Sequence, residues 1–175
     1  MDISVAMCTY NGGKFLAEQL SSIREQTKLP HELVICDDGS TDATPRIVHA
    51  FALDAPFPVR FFRNQATLGS TRNFEKAINL CEGQAIALSD QDDIWQPNKL
   101  ERLASVLDSE PQVGGVCSNA FLIDETSERF PDSLWERRNF TPRMQAAFQR
   151  NSARQLLQYI AGESRAGHRY RRNNG

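Results

Sequence analysis

Ala85-Ile86-Ala87-Leu88-Ser89 runs directly into Asp90-Gln91-Asp92-Asp93, and then into Ile94-Trp95-Gln96-Pro97. The apolar run, with Gly83 ahead of it and polar residues behind it, reads as a short buried strand. Three carboxylates just past the C-terminal end of such a strand repel one another strongly unless a cation lies among them. Oxygen donors of this kind suit a hard divalent ion, Mg²⁺ or Mn²⁺. The alternative is an acidic surface turn, since Asp is a favoured turn residue. The rest of the chain decides between the two.

Working outward, the same alternation of short apolar runs and amphipathic stretches recurs. Upstream, Ile3 to Cys8 reads as a strand, and Thr9-Tyr10-Asn11-Gly12-Gly13 follows as a loop. From Lys14 to Gln26, Leu16, Leu20 and Ile23 share one helical face. Leu33 to Cys36 is a second strand, closed by Asp37-Asp38-Gly39-Ser40-Thr41-Asp42. Ser40 or Thr41 is placed to cap the next helix, whose inner face holds Ile47 and Phe51, with Val48 beside them. Val59 to Phe62 is a third strand. Phe74, Ala77, Ile78 and Cys81 then mark a third helix stopped by Gly83. Beyond the acidic turn, Pro97 suits the first turn of a fourth helix bearing Leu100, Leu103, Ala104 and Leu107. Val113-Gly114-Gly115-Val116-Cys117 is expected to begin a fifth strand, with Phe121-Leu122-Ile123 extending it.

This βαβαβαβαβ order predicts an α/β fold: a Rossmann-like, mostly parallel sheet flanked by helices on both faces. Ligands of such sheets bind beyond the C-terminal strand ends. Three polar clusters fall there: Thr9-Tyr10-Asn11, Asp37-Asp38-Gly39-Ser40 and Asp90-Gln91-Asp92-Asp93. That convergence favours a site over a surface turn.

The chain has 175 residues and a net charge of -2, with 40% hydrophobic and 24% charged residues. These values describe an ordinary globular domain with a sizeable core and no basic field for nucleic acid. No apolar stretch approaches the roughly 20 residues that span a bilayer. Met1-Asp2-Ile3-Ser4 lacks the features of a signal peptide. Cys8, Cys36, Cys81 and Cys117 form no CxxC pair and sit in or beside apolar segments, as small buried hydrophobes do. A reducing cytosol is the expected compartment. His31, His49 and His168 have no acidic or nucleophilic partner at motif spacing.

No GxGxxG follows the first strand and no GxxxxGK[ST] occurs, which disfavours a dinucleotide of the usual kind and a P-loop nucleotide. What remains is an aromatic ring, amides, carboxylates and a metal. Those parts suit a nucleoside diphosphate: a ring stacks on the base, a carboxylate accepts from a base N–H, and a metal neutralises the phosphates.

Three stretches taken in order, Val5 to Gly12, Val34 to Asp42 and Ala87 to Trp95, resemble the successive signatures of the family-two glycosyltransferases of GT-A fold. The resemblance covers about Ile3 to Ile123. The SDQDDIW form is similar to rhamnosyltransferase-like members that build bacterial cell-surface polysaccharides. It implies that Thr9, Tyr10 and Asn11 line a nucleotide pocket, with Tyr10 against the base. Asp37, ahead of Asp38, accepts from the base, and Arg72 stands near the nucleotide or is a solvated residue of a first helical turn. Asp90 and Asp92 form the DxD, with Asp92 the direct metal ligand, Asp90 at the ribose or metal and Gln91 in the same pocket. Asp93 supports them. Trp95 borders the sugar or packs in the core.

The implied chemistry is metal-dependent, inverting hexosyl transfer from a UDP- or dTDP-linked donor to a saccharide or lipid-linked acceptor, with Mg²⁺ or Mn²⁺ as cofactor. Peripheral association with the inner face of the membrane stays open beside a cytoplasmic location. The family's catalytic base lies well beyond the DxD. Asp124, Glu125, Glu128 and Asp132 match no base motif, so none is assigned. The expected division is a nucleotide-sugar-binding domain over 1–130, a helical extension over 131–160 that starts an acceptor half, and a disordered basic tail over 161–175. The tail suggests a truncation or frameshift after Gln158, and with it a second reading: a nucleotide-sugar-binding module that does not transfer.

Overall fold

The computed structural model describes residues 1–150, with side chains to residue 146. The tail expected over 161–175 lies outside the described residues. Two compact units form, Met1–Asp108 and one that begins at Ser109.

The first unit is built on a four-stranded sheet of β1 (Ile3–Thr9), β2 (Glu32–Asp37), β3 (Val59–Arg63) and β4 (Ala85–Asp90). All three pairings are parallel, in the order β3-β2-β1-β4. Every residue of β1 and β2 is buried, as expected of central parallel strands covered on both faces. Helices α1 (Leu16–Arg24), α2 (Thr44–Ala52), α3 (Ser70–Leu80) and α4 (Lys99–Ser109) connect or follow the strands.

Side-chain alternation in β1 sorts the helices between the two faces. Ile3, Val5 and Met7 pack with Leu16, Leu20 and Ile23 of α1, Val48 and Phe51 of α2, and Leu100 and Ala104 of α4. Ala6 and Cys8 point the other way and pack with Cys36 and with Ala77 of α3. Those small side chains let α3 lie close to the sheet. At the far end of α3 the buried Glu32 carboxylate accepts from Ser4 Oγ at 2.7 Å, Glu82 N at 2.7 Å and Arg60 Nη1 at 2.9 Å.

Strand β4 is an edge strand among the described residues, and α3 does not cover it fully. Ile86 is 38% and Leu88 39% exposed. Trp95 is buried in the α1 face of the core, which settles its two readings for packing. Ser40 and Thr41 do not cap α2. The N-cap residue is Ala43, with no side-chain cap; Asp42 Oδ1 accepts from Thr44 N at 2.9 Å in the turn just ahead of the helix, and Ser40 is turned toward Asp37.

The expected fifth parallel strand is absent from the described residues. Residues 113–117 are irregular, because Gly114 and Gly115 supply no side chains to pack and lose the most freedom on ordering. Phe121–Ile123 (β5) pairs antiparallel with Arg129–Ser133 (β6) instead. The turn between them is held by Asp124 Oδ1, which accepts from Thr126 N at 2.8 Å and Glu128 N at 3.0 Å. Ser133 and Glu136 form a capping box on the short helix α5 (Leu134–Arg137), and α6 (Pro142–Arg150) follows. Cys117 is exposed, not a buried hydrophobe, since its segment joins no sheet. Among the described residues no helix is long and apolar enough to cross a membrane.

Leu20, 1% exposed, and Ile86 test this division of the sheet. Leu20→Ala is expected to lose about 2–5 kcal/mol in chemical denaturation. Ile86→Ser is expected to stay within about 0.5 kcal/mol.

Candidate functional site

Strand register brings the three polar clusters together. Thr9 is paired with Asp37 across β1 and β2, and Cys8 with Asp90 across β1 and β4. The loops that leave these strands therefore start side by side. Tyr10 and Asn11 follow β1, Asp38 to Ser40 follow β2, and Gln91 to Asp93 follow β4.

Side chains then tie the loops to one another. Thr9 Oγ1 donates to Asp37 Oδ1 at 2.9 Å, and Asp38 N donates to Thr9 O at 2.8 Å. Asn11, in the left-handed region at φ 47°, donates its N–H to Ser40 Oγ at 2.8 Å and accepts from Thr41 N at 2.9 Å. Gln91 bridges to the β1 loop through both amide atoms, accepting from Tyr10 N at 2.8 Å and donating to Tyr10 O at 3.1 Å. A Cβ on Gly12 would lie 2.2 Å from Gln91 Oε1, so glycine there makes room for the bridge. Tyr10 keeps its ring 54% exposed.

Asp37 is 0% exposed. Besides Thr9, its carboxylate accepts from Ser40 N at 2.9 Å and from Ser40 Oγ, and Arg63 Nε stands 3.6 Å away. Asp38 is also buried. Its Oδ1 accepts from Asn64 Nδ2 and Leu68 N, each at 2.8 Å, and its Oδ2 from Gly69 N at 2.9 Å. Gly69 has φ 81°, a conformation glycine adopts without strain, and it begins α3. Burial works to raise the Asp38 carboxyl, but the Leu68 N–H, the Asn64 amide, the Gly69 N–H and the nearby Lys76 together hold it below its usual value. Arg72 is exposed on the first turn of α3, the helix whose start Asp38 fixes.

In the acidic turn, Asp90 is exposed at the end of β4, Asp92 is half-buried and Asp93 is exposed. Among the described residues no three His, Cys, Asp or Glu side chains converge into a closed metal cage. Two carboxylates on one short turn, with coordination left for substrate oxygens, fit Mg²⁺ or Mn²⁺, which commonly use one or two carboxylates plus substrate phosphates.

Two residues were missed by the sequence reading. Arg63, at the end of β3, reaches both Asp37 and the Ser40 carbonyl. Gln19 is 0% exposed and lies beneath the acidic turn. With Nε2 directed at the Asp93 carbonyl, 2.7 Å away, it also donates to Ser22 Oγ at 2.8 Å; its Oε1 accepts from Ser89 Oγ at 2.7 Å and Trp95 Nε1 at 3.2 Å. All four amide positions are satisfied this way. The available signal was an amide at the i+3 position of the apolar Leu16–Leu20–Ile23 face.

A parallel sheet with helices on both faces and polar loops at its C-terminal strand ends is the architecture of the GT-A fold. The chain belongs to the family described as Glycosyl transferase family 2, whose model matches residues 4–170. It is 33% identical over 115 residues to the abequosyltransferase RfbV of Salmonella typhimurium, covering 65% of this chain and 34% of that protein. To an uncharacterised mycobacterial protein from Mycobacterium tuberculosis it is 32% identical over 140 residues, covering 77% of this chain and 40% of the other. The chain thus spans well under half the length of these relatives. Among solved structures it resembles Staphylococcus aureus TarS in complex with UDP-GlcNAc (TM-score 0.59, 26% identity, 69% of this chain and 38% of that one). It also resembles the mannosyltransferase PcManGT of Pyrobaculum calidifontis in complex with GDP-Man and Mn²⁺ (TM-score 0.60, 25% identity, 70% and 35%).

The Asp38 network carries a pH signature. A carboxyl held below its unfolded value of about 3.9 contributes stability that is present above that pH and lost as the pH falls through the lower folded value. Asp38→Asn is therefore expected to melt below the parent chain at neutral pH, with the gap closing below about pH 4. Thermal melts of both chains across the acid range measure it.

Proposed function

We propose that the chain binds the donor of a metal-dependent, inverting glycosyltransferase, with a UDP- or dTDP-linked sugar lying across the ends of β1, β2 and β4. The observation that carries this reading is the register that sets Tyr10, the Asp37–Asp38 loop and the Asp90–Asp92 turn along one edge. Tyr10 offers the base an exposed ring, and Thr9 and Asn11 shape the loop that presents it. Asp37 and Asp38 hold the base-side loops and supply the carboxylates for a base N–H. Arg72 adds positive charge near the nucleotide.

Asp92 and Asp90 are the residues that would hold Mg²⁺ or Mn²⁺, and the ion would offset the charge of the departing diphosphate. Gln91 keeps the metal-side turn against Tyr10, so the two ends of the donor are gripped by parts that move together. Inverting transfer is a single displacement. The acceptor hydroxyl oxygen forms a bond to the anomeric carbon as the bond to the diphosphate oxygen breaks, and the hydroxyl proton passes to a base. No residue is assigned as that base. Asp124 is engaged in the β5–β6 turn. The acceptor is a saccharide or a lipid-linked saccharide, and the reaction belongs to polysaccharide assembly on the cytoplasmic side of a membrane.

Calorimetric titration with UDP and dTDP, in Mn²⁺ and in EDTA, tests the reading beside a donor-hydrolysis assay. Nucleotide binding is expected to require the metal, and Asp92→Asn is expected to abolish that requirement by weakening binding in Mn²⁺ about tenfold or more. Metal-dependent binding without turnover would assign the chain to donor binding alone. Equal affinity with and without metal would sink the proposal.

A further inference from the structure

Helix α1 and the residues just past it bury three polar side chains: Gln19 at 0% and Ser22 at 7% exposure on the helix, and Gln26 at 4% just beyond its C-cap Glu25. All three reach the segment that follows β4, but at different points. Gln26 holds the start of α4, donating to Gln96 O at 2.8 Å and accepting from Leu100 N at 3.0 Å. Ser22 Oγ accepts from Trp95 N at 3.0 Å. Gln19 alone grips both flanks of the acidic turn, through Ser89 immediately before Asp90 and the Asp93 carbonyl immediately after Asp92.

We propose that Gln19 is a positioning residue for the cation: its amide, bonded to Ser89 and to the Asp93 carbonyl, fixes the ends of the Asp90–Asp93 turn and so sets the geometry in which Asp90 and Asp92 meet a divalent ion. The inference rests on the reading of those two residues as the metal ligands. Three carboxylates in so short a turn repel one another and would relax by splaying apart. A turn tied at both ends to one rigid amide cannot lengthen freely. The amide is itself locked, since it is buried on a helix and its remaining positions are taken by Ser22 Oγ and Trp95 Nε1. A buried amide of this kind without partners would destabilise the fold, so its position in the core demands the bonds that hold the turn. Partners behind metal ligands typically change metal affinity by roughly 10- to 100-fold when removed.

The test uses the full chain and titrates UDP in saturating Mn²⁺ and in EDTA, with thermal melting as a fold check. Gln19→Met keeps the length of the side chain and removes its hydrogen bonds. It is expected to weaken Mn²⁺-supported UDP binding roughly 10- to 100-fold and leave binding in EDTA unchanged. Gln26→Met, which removes a second buried amide just past the C-terminal end of α1, is expected to lower the melting temperature with little change in Mn²⁺-supported binding. Ser89→Ala removes one of the bonds to the turn and is expected to weaken that binding several-fold; should Gln19→Met fail to fold, this variant decides. Equal losses in Gln19→Met and Gln26→Met would overturn the inference, because general destabilisation would account for both. If Asp92→Asn loses Mn²⁺-supported binding while Gln19→Met and Ser89→Ala keep it, the metal site stands and the role of Gln19 falls. If the unaltered chain shows no Mn²⁺ dependence, both fall together.

Discussion

Parallel pairing of β1 with β2 on one side and β4 on the other is the constraint from which the site follows. Parallel strands run in the same direction, so their C-terminal ends finish on the same edge whatever loops come after. Here that edge receives Thr9, Asp37 and Asp90 from three strands separated by helices in the sequence. The pairing is strongly determined because β1 and β2 are buried on both faces, and a slip of one residue would exchange Val5 and Met7 with Ala6 and Cys8. The large side chains would then meet α3, where only small ones leave room.

Polar side chains at this edge serve mainly to hold loops in place. Asp37 gathers Thr9 and Ser40, Asp38 gathers Asn64, Leu68 and Gly69, and Gln91 spans to Tyr10. Apart from the Asp37–Ser40 bond, which lies within the β2 loop, these bonds join residues from different strand ends or loops, so the edge behaves as one connected rim. For the donor proposed above, such a rim would set the distance between the base end and the phosphate end before binding. From below, Gln19 of α1 and Gln26 just past it tie the segment after β4 to the core with buried amides. The core therefore reaches the site through hydrogen bonds as well as packing.

The two faces of the sheet differ in a way that bears on this rim. The α1, α2 and α4 face carries the larger side chains and encloses Trp95, which anchors the segment after the DxD. The α3 face is thinner and leaves Ile86 and Leu88 of β4 partly open. The acidic turn is thus fastened to the better packed side, and the face of β4 that continues to Asp90 is the more open one.

Much of this was legible in the residues alone. The short apolar runs and the helical faces gave four helices and the four strands of the sheet in order, with a fifth strand expected that does not join it among the described residues, and chain direction then placed three polar clusters at one end. The family signatures added the expectation of nucleotide and metal roles for those clusters. Local pattern could not show which strand lies beside which, nor that Val113 to Cys117 stays out of the sheet while Phe121 to Ile123 pairs with Arg129 to Ser133. It also could not show that Asp37 and Asp38 are turned inward, that Ser40 serves Asp37 in place of a helix cap, or that Gln19 lies under the acidic turn. Hydrophobic periodicity reports which face of an element is buried, whereas a buried polar group takes its role from partners about 30 to 70 residues away in the chain, and only folding brings those partners within hydrogen-bond reach.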